Sequence, residues 1–189
     1  MRHKYQTRAI VLGRSPLGEA NALITLLTSD LGLVRVRAQG IRKSSAKLAS
    51  ALATFSESEL VLVKGSEGWR ATGAVLAEQW HRRFTRPARL RAGRIVNLLL
   101  RLAPSESADT ALFPILHGFF NVIATTDESA HDAAECLAAL RLLSSLGLDA
   151  GEVPGATLSQ YEPDILSQIT GARAHFITRI NRGIEASGL

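Results

Sequence analysis

The chain has 189 residues, 46% of them hydrophobic, and a formal net charge of +5. That apolar fraction can bury a core in one domain or two small ones, which excludes a mainly disordered chain, and no apolar run reaches the length of a membrane-spanning helix. The single cysteine, Cys136, excludes an internal disulfide and any multi-cysteine zinc site; it sits in the helical pattern AAECLAALRLL and is expected to be a small core residue. The charge is unevenly divided. Residues 1–95 carry 17 of the 22 Lys and Arg but only 6 of the 17 Asp and Glu, a net +11, whereas residues 96–189 net −6. Such a division predicts a basic, polyanion-facing module joined to a more acidic one. The opening MRHKYQTRAIVLGRS has charges on both sides of a short strand-like segment, unlike a secretory leader, so a cytoplasmic location is expected.

In the first half the hydrophobic period is two. Tyr5, Thr7, Ala9 and Val11 alternate with Gln6, Arg8, Ile10 and Leu12, which predicts a strand over Lys4–Leu12. Gly13–Glu19, GRSPLGE, carries a proline and two glycines and is expected to be a loop. Ala22–Thr28 is a second strand. Ser29-Asp30-Leu31-Gly32 then forms a tight turn into a third, Leu33–Gln39. After Gly40, residues Ala46–Leu52 are expected to make a short helix. Phe55–Val63 is a fourth strand, Lys64–Gly68 a turn, and Trp69–Leu76 a fifth strand. Five short strands with a break between the third and fourth are what a small closed barrel requires, and the five-stranded OB-fold is such a solution, often used for single-stranded nucleic acid.

From Pro87 the period changes to that of a helix. Ile95, Leu98, Leu99 and Leu102 recur at three and four residues, and the segment stops at Ala103-Pro104. Asp109 is placed to cap a second helix carrying Leu112, Ile115, Leu116, Phe119, Phe120 and Ile123. Ser129 is placed to cap a third, which carries Leu137, Leu140 and Leu143 and stops at Gly147. Gly151–Gly155 is a loop; helices over Pro163–Ile169 and Ala172–Ala186 close the chain. The expected architecture is α+β: an OB-fold barrel over residues 1–84, then an α-helical bundle over 85–189.

The stretch Leu33–Leu48, LVRVRAQGIRKSSAKL, concentrates the charge. In a strand Arg35 and Arg37 face away from Val34 and Val36; Arg42, Lys43 and Lys47 follow, so five cations occur with no carboxylate among them. A phosphodiester backbone supplies counter-charge at regular spacing, and a solvated face without a partner is the other reading. Arg14 and Arg70 are further candidates for the same track. Aromatic residues in the barrel are scarce: Tyr5, Phe55, Trp69 and Trp80. Phe55 and Trp69 are expected to pack rather than to stack on bases, which favours backbone binding with little sequence preference. A second cluster, Arg82, Arg83, Arg86, Arg89, Arg91 and Arg94, either extends the track or pairs with acids such as Glu106 or Asp109.

Catalytic patterns are missing. Ser15-Pro16-Leu17-Gly18 lacks the lysine of a phosphate-binding loop, and GxGxxG does not occur. His131 and Glu135 are four apart, which fits an ion pair better than a metal site. Glu19 has no second acid nearby in sequence for acid–base chemistry. A non-enzymatic protein with no metal and no cofactor is expected.

The stretch AIVLGRSPLGEANALITLLTSDLGLVRVRAQGIRKSSAKLASALATFSESELVL resembles the N-terminal barrel of the RecO family, bacterial DNA-repair and recombination mediators. The likeness rests on Ile10-Val11-Leu12, Gly18-Glu19, Thr28 and Gly32, Ala38-Gln39-Gly40-Ile41-Arg42, Ser45, Leu48, Leu52 and Phe55. It continues loosely through Leu142-Leu143, Leu146-Gly147 and Ile180-Asn181-Arg182. The resemblance implies binding of single- and double-stranded DNA, annealing of complementary strands, docking on the acidic C-terminal tail of single-strand binding protein, and loading of recombinase with RecR and RecF, in association with the bacterial nucleoid. Two departures stand out. Family members are usually longer, and many carry a four-cysteine zinc element after the Leu-Leu…Leu-Gly helix, whereas Ala150–Tyr161 contains no cysteine. The third helix offers only Arg141 as a cation for a basic-rimmed pocket. A protein adaptor, whose helical half binds partners while the basic barrel face is solvated or contacts RNA, is the alternative.

Overall fold

The computed structural model describes residues 3–41, 48–104 and 106–188. The chain forms two compact units, Met1–Arg83 with Ser105–Phe113, and Phe84–Pro104 with Pro114–Leu189.

The first unit is a closed five-stranded barrel of β1 (Lys4–Leu17), β2 (Asn21–Thr28), β3 (Gly32–Ala38), β4 (Ser56–Gly65) and β5 (Gly68–Gln79), followed by one turn of helix, α1 (Trp80–Arg83). Going round the barrel the order is β1-β2-β3-β5-β4. All pairs are antiparallel except β3–β5, which meet in parallel over Val36 opposite Trp69 and Arg37 opposite Arg70. This is the OB-fold arrangement, and it explains the period of two: Ala9, Val11, Ile24, Leu26, Val34, Val36, Leu60 and Leu62 fill the interior.

Several local expectations change. Gly13–Leu17 is strand rather than loop, because these residues pair with Asn21–Thr25 while the pairing of β1 with β4 has already ended at Ile10. One edge of β1 is therefore open there, and Pro16 forfeits no ladder bond on that side. Of the short helix expected over Ala46–Leu52, Ala46 and Lys47 lie outside the described residues, and Leu48–Leu52 make a single turn, with Leu52 N–H donating to Leu48 C=O at 3.0 Å. Ser105–Phe113, which the periodicity assigned to the helical half, groups with the barrel unit. There Leu33 N–H donates to Ser107 C=O at 2.8 Å, closing over Gly32, whose φ is +67°.

A buried carboxylate ties α1 to the barrel. Glu57 has no exposed surface; the Trp80 indole N–H donates to its Oε2 at 2.8 Å, and the Arg8 guanidinium pairs with Oε1. A charge out of water survives only with such partners.

The second unit contains α2 (Arg86–Leu102), α3 (Leu112–Thr125, which enters it at Pro114), α4 (Glu128–Ser145), α5 (Pro163–Gly171) and α6 (Arg173–Ala186). Thr85 caps α2, its hydroxyl accepting from Ala88 N–H, and Ala88, Ala92, Ile95, Val96 and Leu99 form its buried stripe. Helix α4 is buried round most of its circumference and packs against α2, α5 and α6. Its N-cap is Asp127, two residues before the expected Ser129. Asp109 caps the turn before α3, accepting from Ala111 N–H at 2.9 Å.

Candidate nucleic-acid interface

Strict alternation along β3 sorts its side chains. Val34 and Val36 are buried in the barrel, and Arg35 and Arg37 stand exposed on its outer surface. The register then extends this face across the sheet. Arg37 lies opposite Arg70 on β5, Arg70 opposite Val63 on β4, and Val63 opposite Lys4 on β1. Partners across a ladder share a face, so Arg37, Arg70 and Lys4 occupy one outer row, with Arg35 two residues further along β3. Lys4 was missed in the sequence because only the β1–β4–β5–β3 order brings it here.

Arg14 goes the other way. The irregularity between Val11 and Gly13 shifts the β1–β2 register, putting Arg14 opposite Ile24 and thus on the side of Val36 and Trp69. Arg14 is exposed on the outlying β1–β2 extension, but its face is opposite that of Arg35 and Arg37. Arg42, Lys43 and Lys47, expected on the same track, lie outside the described residues. The chain enters that segment through Gly40, whose N–H donates to the Asn21 side-chain oxygen at 3.0 Å.

A hollow of about 550 Å³ lies beside the row, lined by Asn21, Arg37, Gln39, Glu67, Trp69 and Arg70 among others. A second, of about 440 Å³, shares Val63 and Arg70 and reaches Lys4. Glu67, on the tight β4–β5 connection, pairs with Arg37, Nη1 to Oε2 at 2.5 Å. The aromatic at this site is a wall: Trp69 is only 9% exposed, meets Tyr5 edge-on with centroids 5.1 Å apart, and has the Lys64 ammonium 5.2 Å from its centroid. Phe55 is half-buried and precedes β4 in a left-handed conformation, φ 61°.

The arginines around the start of the helical region divide. Arg83 pairs with Glu78 at 3.0 Å and lies over Trp80. Arg91 and Arg94 both hold Glu135 on α4, each with a contact of 2.5 Å, and Arg173 holds Asp132 at 2.6 Å, which keeps the Asp132 carboxyl below its usual range. So acids of the helical half, here those of α4, pair with Arg91 and Arg94. Glu135 is thereby engaged by arginines, while the ring of His131 is buried against Thr126 C=O at 3.1 Å. Arg82, Arg86 and Arg89 are exposed. Between α2, α4 and α6 runs a groove of about 430 Å³ with an apolar floor that includes Ile95, Leu98 and Ile180 and a rim that includes Arg91, Arg94 and Arg173.

Arg141 does not rim a pocket. It is 2% exposed, donates to Leu158 C=O at 2.9 Å and Pro154 C=O at 3.0 Å, and lies over the Tyr161 ring. With Arg179, which holds Asp149 and Glu152 C=O, it fastens the cysteine-free 149–161 segment. Cys136 is buried, and that burial pushes its thiol up to about 11. Glu19 is exposed in the β1–β2 connection. Among the described residues no three His, Cys, Asp or Glu are grouped to hold a metal, and no helix is long and apolar enough to cross a membrane.

Residues 1–80 match the family described as Recombination protein O N terminal. A DNA repair protein RecO of Heliobacterium modesticaldum is 32% identical over 157 residues, covering 78% of this chain and 56% of that protein. The chain belongs to the RecO family. Its RecO relative in Dehalococcoides mccartyi is 33% identical over 115 residues, 60% of this chain and 46% of the relative. That of Synechococcus elongatus is 46% identical over 65 residues, 34% and 24% of the two chains. The chain thus spans about half the length of the first two of these RecO proteins, and the barrel carrying the Arg35–Arg37–Arg70 row is the RecO N-terminal domain.

Proposed function

We propose that this protein acts in recombinational DNA repair as a non-enzymatic mediator that binds single- and double-stranded DNA through the phosphate backbone, anneals complementary strands and helps load recombinase together with RecR and RecF. The observation that carries this reading is the outer-face row Lys4, Arg70, Arg37 with Arg35 beside it, on the domain matching the RecO N-terminal family, leading in sequence into Arg42, Lys43 and Lys47. Guanidinium groups donate to phosphate oxygens in a fixed fork, and such contacts position a strand without reading its bases. The buried state of Trp69 supports weak base contact, which suits a protein that must let strands find their complements.

The α2–α4–α6 groove supports a partner role for the helical unit. An apolar floor beneath arginines fits an acidic chain end carrying apolar residues, such as the tail of single-strand binding protein; Asp132 and Glu135 would hand over their arginines on docking.

The test is ATP-independent annealing of two complementary oligonucleotides by the purified chain, beside Arg35→Ala with Arg37→Ala. Annealing that falls with rising salt and drops at least tenfold in the double variant supports the reading. Equal annealing by parent and variant, or none by either, moves the function to the helical unit as an adaptor.

A further inference from the structure

Arg37 and Arg70 stand directly opposite each other on the parallel β3–β5 ladder. Like charges at that spacing repel, and the pair needs a counter-ion. The structure supplies one from the chain itself: Glu67, on the connection between β4 and β5, reaches back so that its Oε2 lies 2.5 Å from Arg37 Nη1. Both ends of this pair are well exposed, the Arg37 side chain by 46% and that of Glu67 by 76%, and both line the hollow beside the row. A carboxylate bound to a guanidinium presents the same planar oxygen pair that two phosphate oxygens present.

We infer that Glu67 is an internal stand-in for phosphate, occupying Arg37 in the unbound protein and yielding it to the backbone of a nucleic-acid strand. This deepens the proposed DNA-binding reading and rests on it. The Gly65–Gly68 pairing closes the β4–β5 hairpin around Glu67, so its side chain is aimed from a short connection and can swing off without breaking a ladder bond. An exposed pair of this kind is weak enough to exchange. Its consequences are a lower affinity for all strands alike, faster release, and a guanidinium kept from neighbouring acidic surfaces when no strand is bound.

The experiment is a double-mutant cycle on binding of an unstructured fluorescent oligonucleotide at low salt, with the full chain. Glu67→Gln is expected to tighten binding about 2- to 5-fold, the fold-change an exposed ion pair is worth. In an Arg37→Ala background the same substitution is expected to keep only the small gain that removing any exposed negative charge gives, because the competition it relieves no longer exists. Glu59→Gln, which removes another exposed charge from β4, is the control for general field effects and should give a smaller gain that persists in the Arg37→Ala background. If Glu67→Gln leaves affinity unchanged while Arg35→Ala with Arg37→Ala still weakens it, the stand-in role is overturned and backbone binding survives. A gain of the same size with and without Arg37 also overturns it, as a net-charge effect. If the parent binds no better than the Arg35/Arg37 variant, the DNA-binding reading falls and this inference with it.

Discussion

Arg141→Met is the substitution that tests how the helical unit holds its longest irregular segment. Arg141 is 2% exposed and its guanidinium makes two charge-assisted hydrogen bonds, to Leu158 C=O and Pro154 C=O, while its Cζ lies 4.7 Å from the centroid of the Tyr161 ring. Tyr161 in turn donates from its hydroxyl to Ile115 C=O at 3.1 Å, so the contact reaches α3. Burial lowers the pKa of Arg141 and raises that of Tyr161, in both cases because it disfavours the charged form. Methionine fills similar space but takes the donor from two carbonyls, those of half-buried Pro154 and exposed Leu158, where water replaces part of what is lost. Each bond is worth about 1.5–3 kcal/mol, and part of that is returned because no charge need be desolvated. The net cost is about 2–4 kcal/mol. At a urea slope of about 2 kcal/mol/M the unfolding midpoint read by far-UV circular dichroism should fall by about 1–2 M. The two tryptophans, Trp69 and Trp80, both lie in the barrel unit, so their emission follows the barrel while the dichroism is dominated by helix. Arg141→Lys restores the charge but not the two-pronged reach and should recover less than half. A midpoint for Arg141→Met equal to that of the parent would refute the claim that this arginine anchors the segment.

Three other outcomes follow from particular contacts. Gly32→Ala should destabilise the barrel by at least about 2 kcal/mol in thermal unfolding, because the residue has φ +67° and an added Cβ would sit 2.1 Å from Ser107 O; a cost below about 0.5 kcal/mol would contradict the close approach. Cys136, with its thiol raised to about 11, should react with a disulfide reagent at pH 8 about 100-fold more slowly in the native protein than in urea, and equal rates would show the thiol to be accessible. Asp132 is held below its ordinary value chiefly by its hydrogen bonds from Arg173, so its contribution to stability is present above the unfolded carboxyl value near 3.8 and is lost as pH falls through the folded one; Arg173→Ala should flatten the acid limb of the urea midpoint below about pH 4, and an unchanged limb would show the pair to be inert.

The barrel was legible because strand period is a local signal. Val34-Arg35-Val36-Arg37 needs no tertiary information to sort its faces, and the structure keeps that sorting. What failed locally failed for local chemistry with a non-local outcome. Pro16 between glycines signals a loop, yet β1 carries it as strand where its β4-side edge is open. The irregularity between Val11 and Gly13 reverses alternation, which sends Arg14 to the opposite face from Arg37; Gly13 is the bulge signal, masked in the sequence because Pro16 and Gly18 follow it and make the stretch read as a loop. Charge partners were the least legible. Glu135 meets Arg91 and Arg94 from 44 and 41 residues away, and Arg37 meets Glu67 from 30 away, so a count of cations overstates what is available to a ligand.

That last point makes the salt response a sharper test than affinity. Of the cations in residues 1–95, Arg8 is tied to buried Glu57, Arg83 to Glu78, and Arg91 and Arg94 to Glu135. The outer row supplies Lys4, Arg35, Arg37 and Arg70. Each phosphate neutralised on a single strand contributes about −0.7 to the slope of log K against log salt, so this row alone gives about −3, and full engagement of Arg42, Lys43 and Lys47 gives about −5. Replacing those three by alanine should move the slope from about −5 to about −3 and weaken binding to every sequence alike. A parent slope already near −3, unchanged by the triple variant, would place the strand on the barrel row without the 42–47 segment. A slope near zero would leave the row solvated, since no phosphate contact forms without releasing its counter-ions.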